Sequence, residues 1–237
     1  MNLNRDTEFT WLGQSCFRVK TPGGKTLLID PWVNGNPATP EGLKHQSGID
    51  AMLITHGHFD HIHDAVPIAK ETGCQVVGIF EIAEWLKRKG VQNVTDMNKG
   101  GTVELAGVKV TMVHADHSCG ITEDDGSIVY GGTAAGYVVE LENGFKFYHA
   151  GDTNVFLDMG LIRELYAPDL ALLPIGGHYV MSPYEAAKAV ELLGVKQVVP
   201  MHYGTFPILK GTPEDLQQRV EKFGCKVLAI KPGETLR

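Results

Sequence analysis

The sequence predicts an α/β fold with its reactive residues gathered at strand ends, and three observations predict it. Short apolar runs rich in Val, Ile and Phe alternate with longer amphipathic stretches along the whole chain, the pattern of strands alternating with helices. The helix-like stretches are bounded by capping and stop signals. Four of the five strand-like runs in the second half finish in His, Asp or Gly. No linker interrupts the pattern, and a 43% hydrophobic fraction is enough for a substantial core, so residues 1–237 read as a single domain.

The elements follow in order. FTWLGQSCFRVK (9–20) and KTLLIDPW (25–32) read as the arms of a hairpin, because the intervening Thr21-Pro22-Gly23-Gly24 supplies the fixed and positive φ values of a tight reversal. AMLIT (51–55) reads as a buried strand that runs into THGHFDHIHD. AVPIAKET (65–72) then continues as a helix that Gly73 terminates. FEIAEWLKRKG (80–90) repeats the helix-and-glycine pattern, and its Lys87-Arg88-Lys89 run complements the negative end of that helix dipole. GVKVTMVHAD (107–116), YVVELEN (137–143), FKFYHAGD (145–152), LALLPIGG (170–177) and KQVVPMH (196–202) read as strands. Ser182-Pro183-Tyr184-Glu185 is a capping box with proline at the first helical position, and Thr212-Pro213-Glu214 marks another helix start. Residues 31–50 and 118–136, rich in Gly, Pro and polar side chains, are expected to be long loops that wall a substrate pocket.

Composition narrows the function classes. Asp and Glu number 28 against 21 Lys and Arg, a net charge of −7 with no basic patch, which disfavours a nucleic-acid partner. The opening MNLNRDTEFTWLGQ has no apolar signal region, and no stretch approaches the ~18 apolar residues of a membrane span. A cytoplasmic protein that binds no membrane is the expectation, and nothing in the composition opposes a homo-oligomer. The four cysteines at 16, 74, 119 and 225 form no Cys-x-x-Cys pair and are expected as reduced, mostly buried thiols.

Histidine is distributed unevenly: five of the ten stand at 45, 56, 58, 61 and 63. In an extended chain, residues two apart project to the same side, so His56 and His58 can turn both imidazoles toward one metal ion, with Gly57 relieving the crowding between them. A turn into a helix after Phe59 would aim Asp60 and His61 at a second point. Two metal positions call for about seven ligands, and His117, Asp152 and His202 are available at later strand ends. Asp152 could bridge two cations. Imidazole ligands need acceptors for their other ring nitrogen, and Asp30, ending LLID, is placed to provide one.

THGHFDH matches the His-x-His-x-Asp-His signature of the metallo-β-lactamase superfamily, and the chain resembles that family over nearly its whole length. The words IDPW, HAGDT, PIGGH and HYGTFP look like the little-characterised metal-dependent hydrolases related to L-ascorbate 6-phosphate lactonase. The resemblance implies a four-layer αββα sandwich with the site where strand-end loops of the two sheets meet. It implies that His56, His58 and His117 hold one metal, Asp60, His61 and His202 a second, and that Asp152 bridges them. Asp60 and Asp152 take the catalytic assignment, and Asp30 orients a ligand. Gln14 stands where many relatives have His, so no role is carried over to it.

The remaining histidines compete for places. His114 rivals His117, and the family pattern of His followed by Ser or Thr favours His117. His63 is expected to be solvated or to stand behind a ligand, His149 to support Asp152, and His45 to lie on the surface. His178 is the non-ligand histidine expected to reach the pocket, and Tyr203 is a candidate hydrogen-bond donor to substrate. The expected chemistry is hydrolysis of a small ester or lactone, phosphate-bearing ones included, by metal-bound hydroxide on two divalent ions. Zinc is the first choice of metal, and imidazole and carboxylate suit manganese, iron and nickel as well. A phosphodiesterase or nuclease is the alternative, but should add a basic arm. A non-catalytic metal-binding protein would have lost ligands. An iron oxidoreductase on this fold would carry a flavin domain, for which 237 residues leave no room.

Overall fold

Period-two apolar runs build two seven-stranded sheets, and the amphipathic stretches cover their outer faces. The computed structural model describes residues 6–237, so the first five residues of the opening segment lie outside it. The first half comprises β1 (Glu8–Gly13), β2 (Cys16–Lys20), β3 (Thr26–Ile29), β4 (Ala51–Leu53), α1 (Phe59–Ile62), α2 (Ala65–Thr72), β5 (Gln75–Ile79), α3 (Phe80–Arg88) and β6 (Val94–Met97). Next come β7 (Thr102–Leu105), β8 (Val108–His114), β9 (Gly120–Thr122), β10 (Ile128–Tyr130), β11 (Ala135–Glu140) and β12 (Lys146–His149). The chain ends with α4 (Met159–Tyr166), β13 (Leu170–Pro174), α5 (Pro183–Leu193), β14 (Gln197–Met201), α6 (Pro213–Val220), β15 (Lys226–Val227) and β16 (Thr235–Leu236).

One sheet has the order β16-β1-β2-β3-β4-β5-β6 and the other β15-β14-β13-β12-β11-β8-β7. Each combines antiparallel neighbours with a parallel run, β3 to β6 in the first and β12 to β15 in the second. The parallel runs bring several strand ends to one edge. Side-chain alternation settles the layers. Tyr137, Val139, Phe147, Leu172 and Val199 enter the core shared with Phe9, Val19 and Leu27 of the opposite sheet. Their neighbours Val138, Tyr148, Ala171, Leu173 and Val198 pack instead with Met159, Ala186 and Leu216 of α4, α5 and α6. On the outer face of the first sheet, Ile82 of α3 comes within 3.1 Å of the position a Cβ would take on Gly78 of β5. The result is the four-layer αββα arrangement.

The helix signals act as read. Gly73 takes φ 67° after α2, the Ser182 backbone N–H donates to Glu185 Oε2 at 2.8 Å, and Thr212 Oγ1 accepts from the Asp215 N–H at 3.2 Å. Lys87 and Arg88 occupy the last turn of α3. The helix stops one residue earlier than its glycine suggested, with Lys89 as the cap and Gly90 beyond it. All four cysteines are free and buried. Among the described residues no helix is long and apolar enough to cross a membrane.

Two expectations need correction. FTWLGQSCFRVK is not one strand: Gly13 and Gln14 adopt φ of 107° and 52°, which reverses the chain so that β1 pairs antiparallel with β2. Residues 118–136 are not an irregular loop. They contain the hairpin of β9 and β10, and Ala135 and Gly136 already belong to β11. Residues 31–50, by contrast, are irregular apart from one 3-10 turn at Glu41–Leu43. They are tied down by Asp64, whose Oδ2 accepts from the backbone N–H groups of Val33 at 2.7 Å and Asn34 at 2.8 Å.

Two predictions follow from this scaffold. Asp64→Ala leaves those two N–H donors without their acceptor, and urea unfolding should register a loss of about 2 kcal/mol; an unchanged midpoint would show that the loop is held elsewhere. At Gly57 an added Cβ would lie 2.5 Å from Ile121 Cγ1 and 3.2 Å from the Gly120 carbonyl oxygen. Gly57→Ala should therefore displace the β9–β10 hairpin and lower the thermal midpoint by several degrees, whereas an unshifted melt would mean that the hairpin does not press on this position.

Candidate metal centre

The reactive residues converge because each lies just past a strand. Asp30 follows β3, His56 and His58 follow β4, and Asp60 and His61 open α1. His117 follows β8, Asp152 follows β12, His202 follows β14, and Gln14 makes the β1–β2 turn. Gln14, Asp30 and His202 have φ of 52°, 50° and 54°, a region that non-glycine residues rarely enter. Such outliers cluster where surrounding structure over-determines a functional geometry.

The side chains form two groups whose nitrogen and oxygen atoms lie within 4.8 Å of one another, His56–His58–His117 and Asp60–His61–Asp152–His202. Asp152 joins them. Its Oδ2 stands 3.0 Å from His202 Nε2 and 3.2 Å from His61 Nε2, and also 3.9 Å from His56 Nε2 and 3.8 Å from His117 Nε2.

Hydrogen bonds behind the groups set which ring nitrogens face inward. Asp30 is fully buried; its Oδ1 accepts from the Thr55 N–H at 2.8 Å, and its Oδ2 from the Thr55 hydroxyl at 2.6 Å and from His61 Nδ1 at 2.8 Å. The Nδ1 side of His61 is thereby taken up by Asp30, and its Nε2 faces Asp152 Oδ2. Because the Thr55 hydroxyl donates to Asp30, it accepts from His56 Nδ1, 3.1 Å away. His56 Nε2 then faces His58 Nδ1 at 3.1 Å, while Ser118 Oγ meets His58 Nε2 at 3.1 Å. Gln14 Nε2 donates to Asp60 Oδ2 at 2.8 Å. Asp30 with His56 and His61 forms a third close set, but the three hydrogen bonds already on Asp30 make it a support.

The electrostatics differ between the groups. Burial, followed by neighbouring imidazoles, pushes His56 below the usual range, and burial likewise lowers His58 and His117. These three are neutral rings with lone pairs to give. Burial also acts on His202 and Asp60 but is overcome: Asp152 lifts His202 to about 9, and His61 with a hydrogen bond from His202 brings Asp60 down to about 2. The second group therefore stabilises positive charge. His61 Nε2 and His202 Nδ1 are buried without a hydrogen-bond partner. Facing lone pairs, the orphaned His61 Nε2 and buried carboxylates fit divalent transition-metal ions, since buried charges are paired or coordinate metals.

Every ligand position expected from the sequence comes to this cluster, including His117. His114 does not: it is exposed, 3.1 Å from Lys99 Nζ and edge-on to Phe156. His178 is a correction, because it is exposed and absent from the cavity wall, while its neighbour Tyr179 lines it. Tyr203 is another: it stacks on Trp11 at 5.2 Å away from the cavity, and burial raises its phenol to about 12. His149 supports Asp152 only through the backbone, donating from Nε2 to the Ser15 carbonyl at 3.0 Å and accepting at Nδ1 from the Gly151 N–H at 3.2 Å. His63 is half exposed and bonded to Asp64, and His45 lies on the surface. Sequence reasoning missed Thr55, Ser118, Tyr179 and the contact made by Gln14. Only Ser118, directly after His117, carried a readable signal.

A cavity of about 680 Å³ opens over the cluster, with Asp60, Asp152 and His202 on its floor and Phe59, Tyr179 and Phe206 on its walls. Ser118 and Thr122 of the hairpin region line it. Residues 31–50 stand behind the wall rather than in it: Trp32 packs on Phe59 at 5.4 Å and Phe206 at 5.9 Å.

Comparison with known proteins identifies relatives over nearly the whole chain. The sequence model of the beta-lactamase superfamily domain matches residues 25–203. A UPF0173 metal-dependent hydrolase of Rubrobacter xylanophilus is 55% identical over 232 residues, 97% of this chain and 96% of the relative. One from Koribacter versatilis is 57% identical over 228 residues, 96% of this chain and 97% of the relative. The structure of Igni18, a metallo hydrolase from the archaeon Ignicoccus hospitalis, superimposes with a TM-score of 0.85 at 39% identity, covering 97% of both chains. With matching sequence, fold and a His/Asp cluster at the strand ends, the chain belongs to the UPF0173 metal-dependent hydrolases of the metallo-β-lactamase superfamily.

Proposed function

We propose that the chain hydrolyses a small ester or lactone at a centre of two divalent metal ions. The observation that carries this reading is the single carboxylate oxygen of Asp152 within 4 Å of imidazoles from both groups. His56, His58 and His117 would hold one ion, Asp60, His61 and His202 the other, with Asp152 between them. Zinc is the first choice of metal, and manganese, iron and nickel suit the same imidazole and carboxylate donors. Such ions, when bound, acidify water and stabilise the oxyanion that develops on an attacked carbonyl.

The chain's own residues do the remaining work. Asp30 holds the proton of His61 at Nδ1, and the Thr55 hydroxyl holds that of His56, so both rings keep Nε2 for coordination. Gln14 keeps Asp60 from rotating away from the floor. Asp60 and Asp152 are the carboxylates lining the cavity and the acceptors available for a proton released by water. Ser118, the serine on the wall, is engaged with His58 and acts as its support. Asp60 and Asp152 bring only two negative charges to the floor, so two divalent ions held there would keep positive charge to meet an oxyanion.

Protein purified without chelator and reconstituted with zinc or manganese should contain about two metal ions per chain by elemental analysis. Asp152→Ala should lose both and fall at least a hundredfold in ester hydrolysis, and His117→Ala should lose metal while His114→Ala retains it. Reproducible absence of metal in the wild type, or two metals with full activity in Asp152→Ala, would refute the reading.

A further inference from the structure

The wall of the cavity differs in kind from its floor. Phe59, Tyr179, Phe206 and Ile208 lie on it, and Phe59, Tyr179 and Ile208 are 53%, 58% and 41% exposed. Large apolar side chains left this open beside a reactive cluster are the surface that a bound molecule covers. The wall is also preformed. Trp32, only 4% exposed, stands behind both Phe59 and Phe206, and its own carbonyl is held by Asn36 Nδ2 at 3.0 Å.

Charge complements this picture. Among the described residues, those lining the cavity include no Lys or Arg; besides the histidines, Gln14, Ser118, Thr122 and the Tyr179 hydroxyl are its neutral polar groups. Lys89 and Lys99 are engaged elsewhere, with Glu123 and His114. A phosphate group set against this wall would lose its water without gaining the charged donors that normally replace it. An alkyl or aryl group would lose water favourably in the same place.

We propose that Phe59, Tyr179, Phe206 and Ile208 form an apolar subsite that selects uncharged esters or lactones bearing an alkyl or aryl group, and disfavours phosphate-bearing ones. The proposal deepens the ester-hydrolase reading and rests on it for the reaction, but the subsite can be tested with and without turnover. With zinc-loaded holoenzyme, kcat/KM on 4-nitrophenyl esters from acetate to octanoate should rise about threefold per methylene until the cavity is filled. A lactone should exceed its phosphate-bearing counterpart at least tenfold. Phe206→Ala and the milder Ile208→Ala should flatten the chain-length slope, chiefly through KM, with thermal melts to show that each variant is folded.

Binding of 1-alkanols from butanol to octanol, measured by calorimetry on the same holoenzyme, reads the wall without requiring hydrolysis. Affinity rising with chain length in the wild type and flattened in Phe206→Ala or Ile208→Ala supports the subsite even if no ester is turned over, in which case the ester-hydrolase reading alone fails. Metal-dependent ester hydrolysis with a flat chain-length profile, or preference for the phosphate-bearing lactone, overturns the subsite and leaves the hydrolase reading standing.

Discussion

Asp152 is almost fully buried, yet its Oδ2 lies within 4 Å of ring nitrogens from His56, His61, His117 and His202. A carboxylate withdrawn from water costs several kcal/mol unless positive charge or hydrogen bonds surround it. Here the Ser15 hydroxyl, at 3.5 Å from Oδ1, offers only a long contact. The compensation must come from the imidazole side, as protons on His61 and His202 or as metal ions shared with His56, His58 and His117. Much of the local structure serves to keep this oxygen where both groups can reach it. Gly151, with φ of 62°, stands so close to Thr55 and the Ala135 carbonyl that a Cβ would fall 2.8 Å from each. The backbone before Asp152 is thus pressed against Thr55, in the segment that leads from β4 into the histidine motif, and against β11.

The fold provides this convergence by an economical route. Parallel strands in each sheet end at the same edge, so a residue placed one to three positions past the last paired residue automatically faces the inter-sheet crevice. The left-handed turns at Gln14, Asp30 and His202 then redirect the side chains inward. Distant segments are locked together there: the His202 N–H donates to the Gln14 carbonyl at 3.0 Å, and the Gln14 amide reaches Asp60 across 46 residues of sequence.

What could be read from the sequence was local. His56, His58, Asp60 and His61 are legible because their spacing combines a strand end with a helix start, and both geometries follow from backbone periodicity. His117, Asp152 and His202 are legible because apolar strands point to them. The β9–β10 hairpin escaped because its strands have three residues each, too short for an alternating pattern to emerge from the Gly and Asp around them. His178 and Tyr203 failed for a conformational reason. His178 takes φ of 56° and His202 of 54°, and each turn reorients the side chain beside it, so Tyr179 enters the cavity and Tyr203 stacks on Trp11. Gln14 departs from the family pattern, but its partners depend wholly on tertiary contact.

The measurement that bears most directly on this account is anomalous diffraction from crystals of the metal-loaded protein, collected on both sides of the metal's absorption edge. Two peaks are expected per chain, one among His56, His58 and His117 and one among Asp60, His61 and His202, with the Asp152 carboxylate in contact with both. A single peak, or one seated between Asp30, His56 and His61, would contradict the account, because Asp30 would then be a ligand and Asp152 would no longer join two sites.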